Sequence, residues 1–188
     1  MVMDGGEAME TGLKVVSRKS FVQRFFSADY IDVPANAQIL KLLSKQGDRQ
    51  VLFADNVMKL NRSAKLVRRV LIITEVAMYI LDSDFYRMRH RFALQAIKKL
   101  SLSESNDYFV AVHVPSEYDC LMASPRKQEI VTVLAEAAKS ATASDDAIEV
   151  NFSKSFEYNM DAEHVREVHL EEVEGKIMKT QIFHHAKI

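Results

Sequence analysis

Residues 51–81, VLFADNVMKLNRSAKLVRRVLIITEVAMYIL, leave this chain few choices of fold. The Val, Ile, Leu, Phe and Tyr side chains suit a pleated, half-buried surface and predict strands at Val51–Leu60, Leu66–Thr74 and Ala77–Leu81. Asn61, Arg62, Ser63 and Ala64 form the short polar break between the first two, which predicts a β-hairpin. At its tip, Lys59, Arg62, Lys65, Arg68 and Arg69 place five cations within eleven residues with no acid among them. A ligand that reads this turn carries negative charge.

The net charge of −1 predicts no polyanion partner for the chain as a whole, but its distribution is uneven. Residues 59–100 carry ten Lys/Arg against three acids, a balance of +7, and residues 101–175 carry five against sixteen, a balance of −11. This asymmetry predicts one basic and one acidic face, the plain alternative being ordinary solvated faces. A length of 188 residues, 48% of them apolar, is enough for one domain with a real core. The single Cys120 excludes an intramolecular disulfide and fits a reducing compartment. Its run Cys120-Leu121-Met122 argues for a buried, inert thiol. No stretch has the ~18 apolar residues of a membrane span. Asp4, Glu7 and Glu10, with Gly5-Gly6, argue against a signal peptide and for a disordered acidic tail over 1–16. Val2 stands where myristoylation needs glycine, so any contact with a membrane is expected through the folded surface.

Along the chain, Ser17–Tyr30 mixes Arg18, Lys19 and Arg24 with Phe21, Phe25 and Phe26, which predicts a segment packed on the domain. Asn36–Ser44 reads as a short amphipathic helix capped by Asn36. Phe85–Phe92 alternates almost perfectly and predicts a strand with Arg87, Arg89 and Arg91 on one cationic face, a second basic surface able to pair with the acids further on. Lys98–Ser103, Tyr108–Val114 and Tyr118–Ala123 predict three more strands. Ser124 as N-cap and Pro125 at the first helical position start a helix of about four turns. Ile148–Phe156 and Val165–Val173 read as added strands, and residues 176–188 as a tail with enough apolar side chains to dock. The order is α+β and mainly β. Seven strands closed by one C-terminal helix fit a pleckstrin-homology-like barrel among several small β-barrels, with an extra N-terminal helix and C-terminal strands.

Three runs in the hairpin region, VLFADNVMKLNR, K-LVRR-VLIIT and AMYIL, resemble the tail homology 1 domain of class I myosins. RKSFVQRFFSADYI at 18–31, LSLSESNDYFVAVHV at 100–114 and DCLMAS with EIVTVL at 119–134 extend the resemblance in the right order, so that it covers roughly residues 17–152 of a domain over 17–175. It implies a pleckstrin-homology-like core that docks on acidic phospholipids, including phosphoinositides. The family's headgroup Lys and Arg match Lys59 and Arg69 here. It also implies a myosin motor or cortical actin proteins as partners and a cytoplasmic, peripheral place at the membrane or actin cortex. The chain is too short for an ATPase and has no glycine-rich phosphate loop, so the motor is expected on a separate chain or a missing part.

Arg forks and Lys charges with turn N–H groups are what phosphate oxygens require, and the hairpin tip supplies both. The six His lack metal-ligand spacing, and no nucleophile elbow or Cys–His pair is present, so neither an enzyme nor a cofactor is expected. The absence of an RNA-binding motif and the −1 net charge argue against nucleic acid. The rival reading is a barrel of the same fold that serves as a protein-interaction scaffold without lipid binding.

Overall fold

A computed structural model describes residues 28–142, 147–175 and 177–187. The expected tail at 1–16, and Arg18, Lys19, Phe21, Arg24, Phe25 and Phe26 of the lead-in, lie outside the described residues. Helix α1 (Ala37–Gln46) starts at the expected cap, where Asn36 Oδ1 accepts the Ile39 N–H at 3.1 Å. It stops at Gly47, whose φ of 83° is open to a residue without Cβ. Strands β1 (Val51–Leu60), β2 (Leu66–Thr74), β3 (Ala77–Asp82) and β4 (Met88–Ala93) form an antiparallel meander. The chain then builds β5 (Lys99–Leu102), β6 (Phe109–His113) and β7 (Cys120–Ala123). β7 pairs back on β1 at Met58 and Lys59, and helix α2 (Lys127–Ala141) follows.

Strand β8 (Glu149–Phe152) adds parallel to β5, giving one eight-stranded sheet in the order β4-β3-β2-β1-β7-β6-β5-β8. β4 and β5 do not pair among the described residues, so the strands curl without closing into a barrel. Leu94 and Ile97 of their connector pack with Ile130, Leu134 and Ala137 of α2 to fill the space within. A second sheet holds β9 (Ser155–Asn159), β10 (His164–Val173) and β11 (Ile177–Ala186) in the order β11-β10-β9.

The apolar run of residues 70–81 is explained by burial on both faces of the sheet. Leu71, Ile73, Met78 and Ile80 enter the core beneath α2. Val70, Ile72, Tyr79 and Leu81 alternate with them and pack under Ile39 and Leu43 of α1. The second sheet covers the outer face further along, where Phe156, Tyr158, Val168 and Leu170 meet Leu60, Ala111 and Leu121.

Three local expectations are corrected. The strand read at Phe85–Phe92 begins only at Met88, because the Asp82 carboxylate accepts the Phe85 N–H at 2.7 Å and Tyr86 takes a left-handed φ of 54°. Ser124-Pro125 forms a turn, and α2 starts at Lys127; the Ser124 hydroxyl accepts only the Arg126 N–H, two residues on. The single strand read at Ile148–Phe156 is split at Ser153-Lys154 between β8 and β9, which belong to different sheets.

One buried ion pair ties α2 to the sheet. Lys127, 4% exposed, donates from Nζ to Asp107 Oδ2 at 2.9 Å and to the carbonyls of Ser103 and Ser105 at 2.9 and 3.0 Å. Asp107 in turn accepts from the Ser103 hydroxyl and the Phe109 N–H. All three ammonium protons have acceptors, the condition under which a buried lysine is tolerated.

Candidate functional site

The 61–65 turn closes on itself. Asn61 N–H donates to the Lys65 carbonyl at 2.9 Å, Asn61 Oδ1 accepts the Lys65 N–H at 2.9 Å, and Ala64 sits at φ 58°. The register that follows pairs Val57 with Arg69, Met58 with Arg68 and Lys59 with Val67. Side chains alternate across a strand, so Lys59 and Arg69 share the face of Val57, while Arg68 points to the opposite face with Met58. There Arg68 Nε donates to Asn56 Oδ1 at 3.3 Å.

Lys59 and Arg69 are half-buried at the open end of the sheet, in a hollow of about 270 Å³. Arg62 joins them from the turn, Arg89 from β4 and Tyr118 from the β6–β7 turn. The Arg62 guanidinium lies 5.6 Å from the Tyr118 ring centroid. Among the described residues no carboxylate comes within 4.0 Å of the cationic groups of Lys59, Arg62, Lys65, Arg68 or Arg69. Lys59 Nζ reaches only the Leu60 carbonyl at 3.4 Å, and Arg69 Nη1 the Arg68 carbonyl at 2.9 Å. Of the five cations named from the sequence, Lys59, Arg62 and Arg69 therefore converge, and Lys65 and Arg68 do not line the hollow.

Arg166 of β10 also lines the hollow, and sequence reasoning missed it. It is 3% exposed; Nη1 donates to the Asn61 carbonyl at 2.8 Å and to the Tyr158 hydroxyl at 3.3 Å, and Nη2 to the Arg62 carbonyl. The second sheet thus holds the hairpin turn in place through one guanidinium. A signal for it exists: Arg166 shares parity with Val168 and Leu170, so the alternation of β10 puts a cation on an apolar face. Asp119, at the floor, is the acid of the hollow. Burial opposes its charge. Hydrogen bonding with His113 and from the N–H groups of Asn159 and Val114 outweighs that and holds the carboxyl below the usual range.

The expected cationic face of Arg87, Arg89 and Arg91 is not a single face. Arg87 belongs to the β3–β4 turn, with its guanidinium 5.0 Å from the Phe85 ring centroid. Arg89 falls where the β3–β4 register shifts and approaches Asp82 of β3 at 3.9 Å, not an acid of the C-terminal half. Arg91 pairs opposite Tyr79 on the α1 side and donates from Nε to its hydroxyl at 3.0 Å. That hydroxyl donates to Asp48 Oδ2 at 2.7 Å.

Burial pushes the Tyr79 phenol up to about 12, with Arg91 working against the shift and Asp48 with it. The unfolded chain loses this proton near the ordinary value of about 10. Between the two values the unfolded state binds fewer protons than the folded one, so stability is intact below about pH 10 and falls as pH rises toward 12. Denaturant unfolding at pH 9, 10.5 and 11.5 is expected to show this decline, with a shallower slope in Tyr79→Phe.

Cys120 is buried, and burial raises its thiol to about 11, as suits an inert side chain. His90, His164 and His169 each meet a carboxylate, of Glu117, Asp161 and Glu167 respectively. Among the described residues no three His, Cys, Asp or Glu side chains converge as a metal site, and no helix is long and apolar enough to cross a membrane.

A mainly β domain with a capping helix, an open sheet end and a basic hairpin at that end is the architecture of a binding module. A family model described as "unconventional myosin tail, actin- and lipid-binding" matches residues 17–187, and the chain belongs to this tail homology 1 family. Myosin heavy chain IB of Acanthamoeba castellanii is 34% identical over 145 residues, 73% of this chain and 12% of that protein. Human unconventional myosin-Ig is 35% identical over 109 residues, 53% of this chain and 11% of that protein. The chain thus spans roughly an eighth of the heavy chains it matches. The linker–DH/PH domains of p115-RhoGEF align weakly, with a TM-score of 0.45 at 9% identity, over 65% of this chain and 40% of that one. The chain is a non-catalytic tail domain of the actin- and lipid-binding type.

Proposed function

We propose that this domain docks on anionic membrane, with lipid phosphate held between Lys59 of β1 and Arg69 of β2. The observation that carries the reading is the convergence of these two half-buried cations on one face of the hairpin, with no carboxylate within 4.0 Å among the described residues. A lysine point charge and an arginine fork on facing strands fit a phosphate monoester, the group that phosphoinositides carry beyond the diester of other lipids. Arg62 and Arg89 stand at the rim to meet further phosphates. Lys65 and Arg68 point elsewhere and widen the positive potential at the tip, which attracts the surface before contact. As a tail, the domain would tether an actin-based motor to the membrane, peripherally, at the cytoplasmic actin cortex.

Co-sedimentation with vesicles of phosphatidylcholine alone, with phosphatidylserine, and with phosphatidylinositol bisphosphate tests this at low and physiological salt. Binding in the order bisphosphate, then serine, then neutral, weakened by salt, is the expected result. Failure to sediment with any anionic vesicle at low salt overturns it, and filamentous actin and an acidic-face protein partner become the ligands to test.

A further inference from the structure

We propose that the β3–β4 turn is a second membrane contact, in which Phe85 enters the boundary between headgroups and acyl chains while the neighbouring cations hold lipid phosphate above it. The proposal rests on the membrane-docking reading and adds to it an apolar anchor outside the headgroup hollow.

Phe85 is 61% exposed, the most exposed large apolar side chain among the described residues, and Met88 beside it is 44% exposed. Both line a shallow hollow with Leu42, Lys41 and Lys45 of α1 and with Arg87, so the apolar surface is ringed by cations. The Arg87 guanidinium stacks on Phe85 at 5.0 Å. Asp84 is the one acid of residues 83–87, and Asp82 is already occupied by the Phe85 N–H and Arg89. An aromatic ring flanked by Lys and Arg is the composition that settles at a bilayer interface, where the ring leaves water and the charges remain among phosphates.

The fold puts this turn where it can share a surface with the headgroup hollow. β1 runs to the 61–65 turn, β2 returns, and β3 runs back, so the 83–87 turn lies at the same end of the meander. Arg87 belongs to the Phe85 hollow on the α1 face and Arg89, two residues on, to the Lys59/Arg69 hollow on the other face, so both sites open at this end of the sheet. Tyr118, 43% exposed and under Arg62, repeats the arrangement of ring and guanidinium at the β6–β7 turn.

The chain contains no tryptophan, so Phe85→Trp introduces a single reporter of the turn. On phosphatidylcholine vesicles carrying phosphatidylserine and phosphatidylinositol bisphosphate, its emission is expected to shift to the blue and to be quenched by brominated acyl chains. Phe85→Ala is expected to bind these vesicles about five- to ten-fold more weakly, and to lose the binding that persists in wild type at high salt, because insertion of a ring is not screened. Sedimentation that depends on Lys59 and Arg69, with no shift or quenching of Phe85→Trp, overturns the inference and leaves the docking reading intact. A shift and quenching that survive Lys59→Ala/Arg69→Ala at saturating vesicles support Phe85 as an anchor in its own right, and an affinity unchanged in that variant would overturn the headgroup assignment. A shift with an acidic peptide such as polyglutamate and none with vesicles assigns the turn to a protein partner and overturns the inference.

Discussion

Lys59→Ala/Arg69→Ala is expected to lower affinity for phosphoinositide vesicles by about 30-fold or more, with the fold unchanged. Each basic residue near an anionic surface adds ~1 kcal/mol, and two together correspond to roughly 30-fold. Charge-assisted hydrogen bonds to a monoester phosphate, lost with both side chains, add to that. Preference for phosphatidylinositol bisphosphate over phosphatidylserine should fall most, because Arg62, Lys65, Arg68 and Arg89 still supply unspecific attraction. Arg68→Ala, on the opposite face of β2, is the control and should cost only a few-fold, the share of one surface charge. Titration by vesicle co-sedimentation, with circular dichroism to show that the variants fold, reads both. Equal losses from Arg68→Ala and Arg69→Ala would mean that total charge, not the pairing of Lys59 with Arg69, governs binding.

The largest stability effect is expected at Lys127. Lys127→Ala strips Asp107 of its ammonium partner and leaves the carbonyls of Ser103 and Ser105 without that donor. Removing one partner of a buried pair costs about 3–5 kcal/mol, a large share of the ~5–15 kcal/mol that holds a domain folded. Thermal unfolding should move down by about 10 °C or more. Lys127→Met with Asp107→Leu leaves no unpaired charge and should recover part of the loss, but not all of it, because the Ser103 and Ser105 carbonyls and the Phe109 N–H still lack these partners. A single variant that unfolds within a degree or two of wild type would show that the pair does not brace α2.

The hairpin was legible because its two signals agree. Sheet burial on both faces makes residues 70–74 and 77–81 nearly continuous apolar runs, and the Asn61–Lys65 interval has the turn chemistry to separate β1 from β2. The cap of α1 was legible for the same reason: Asn36 and Gly47 act within a few residues of themselves. Phe85–Phe92 misled because near-perfect alternation says nothing about the Asp82 carboxylate, which accepts the Phe85 N–H in a turn and leaves β4 to begin at Met88. Ser124-Pro125 misled because the same pair that starts helices also makes turns, and here it makes a turn ahead of α2 at Lys127. Residues 148–156 form two strands because one half finds β5 and the other finds β10, partners that no local pattern names.

The candidate site divides along the same line. The positive charge of the hairpin tip, its turn and the parity that separates Arg68 from Arg69 follow from neighbouring residues, because alternation and turn hydrogen bonds act over one to five positions. The hollow itself required distant parts of the chain. Arg89 reaches it from β4, Tyr118 from the β6–β7 turn, and Arg166 from the second sheet, where it grips the carbonyls of Asn61 and Arg62. Those approaches are set by how the two sheets and α2 bury their apolar faces, a matter of packing between elements that leaves little trace in any one stretch of residues.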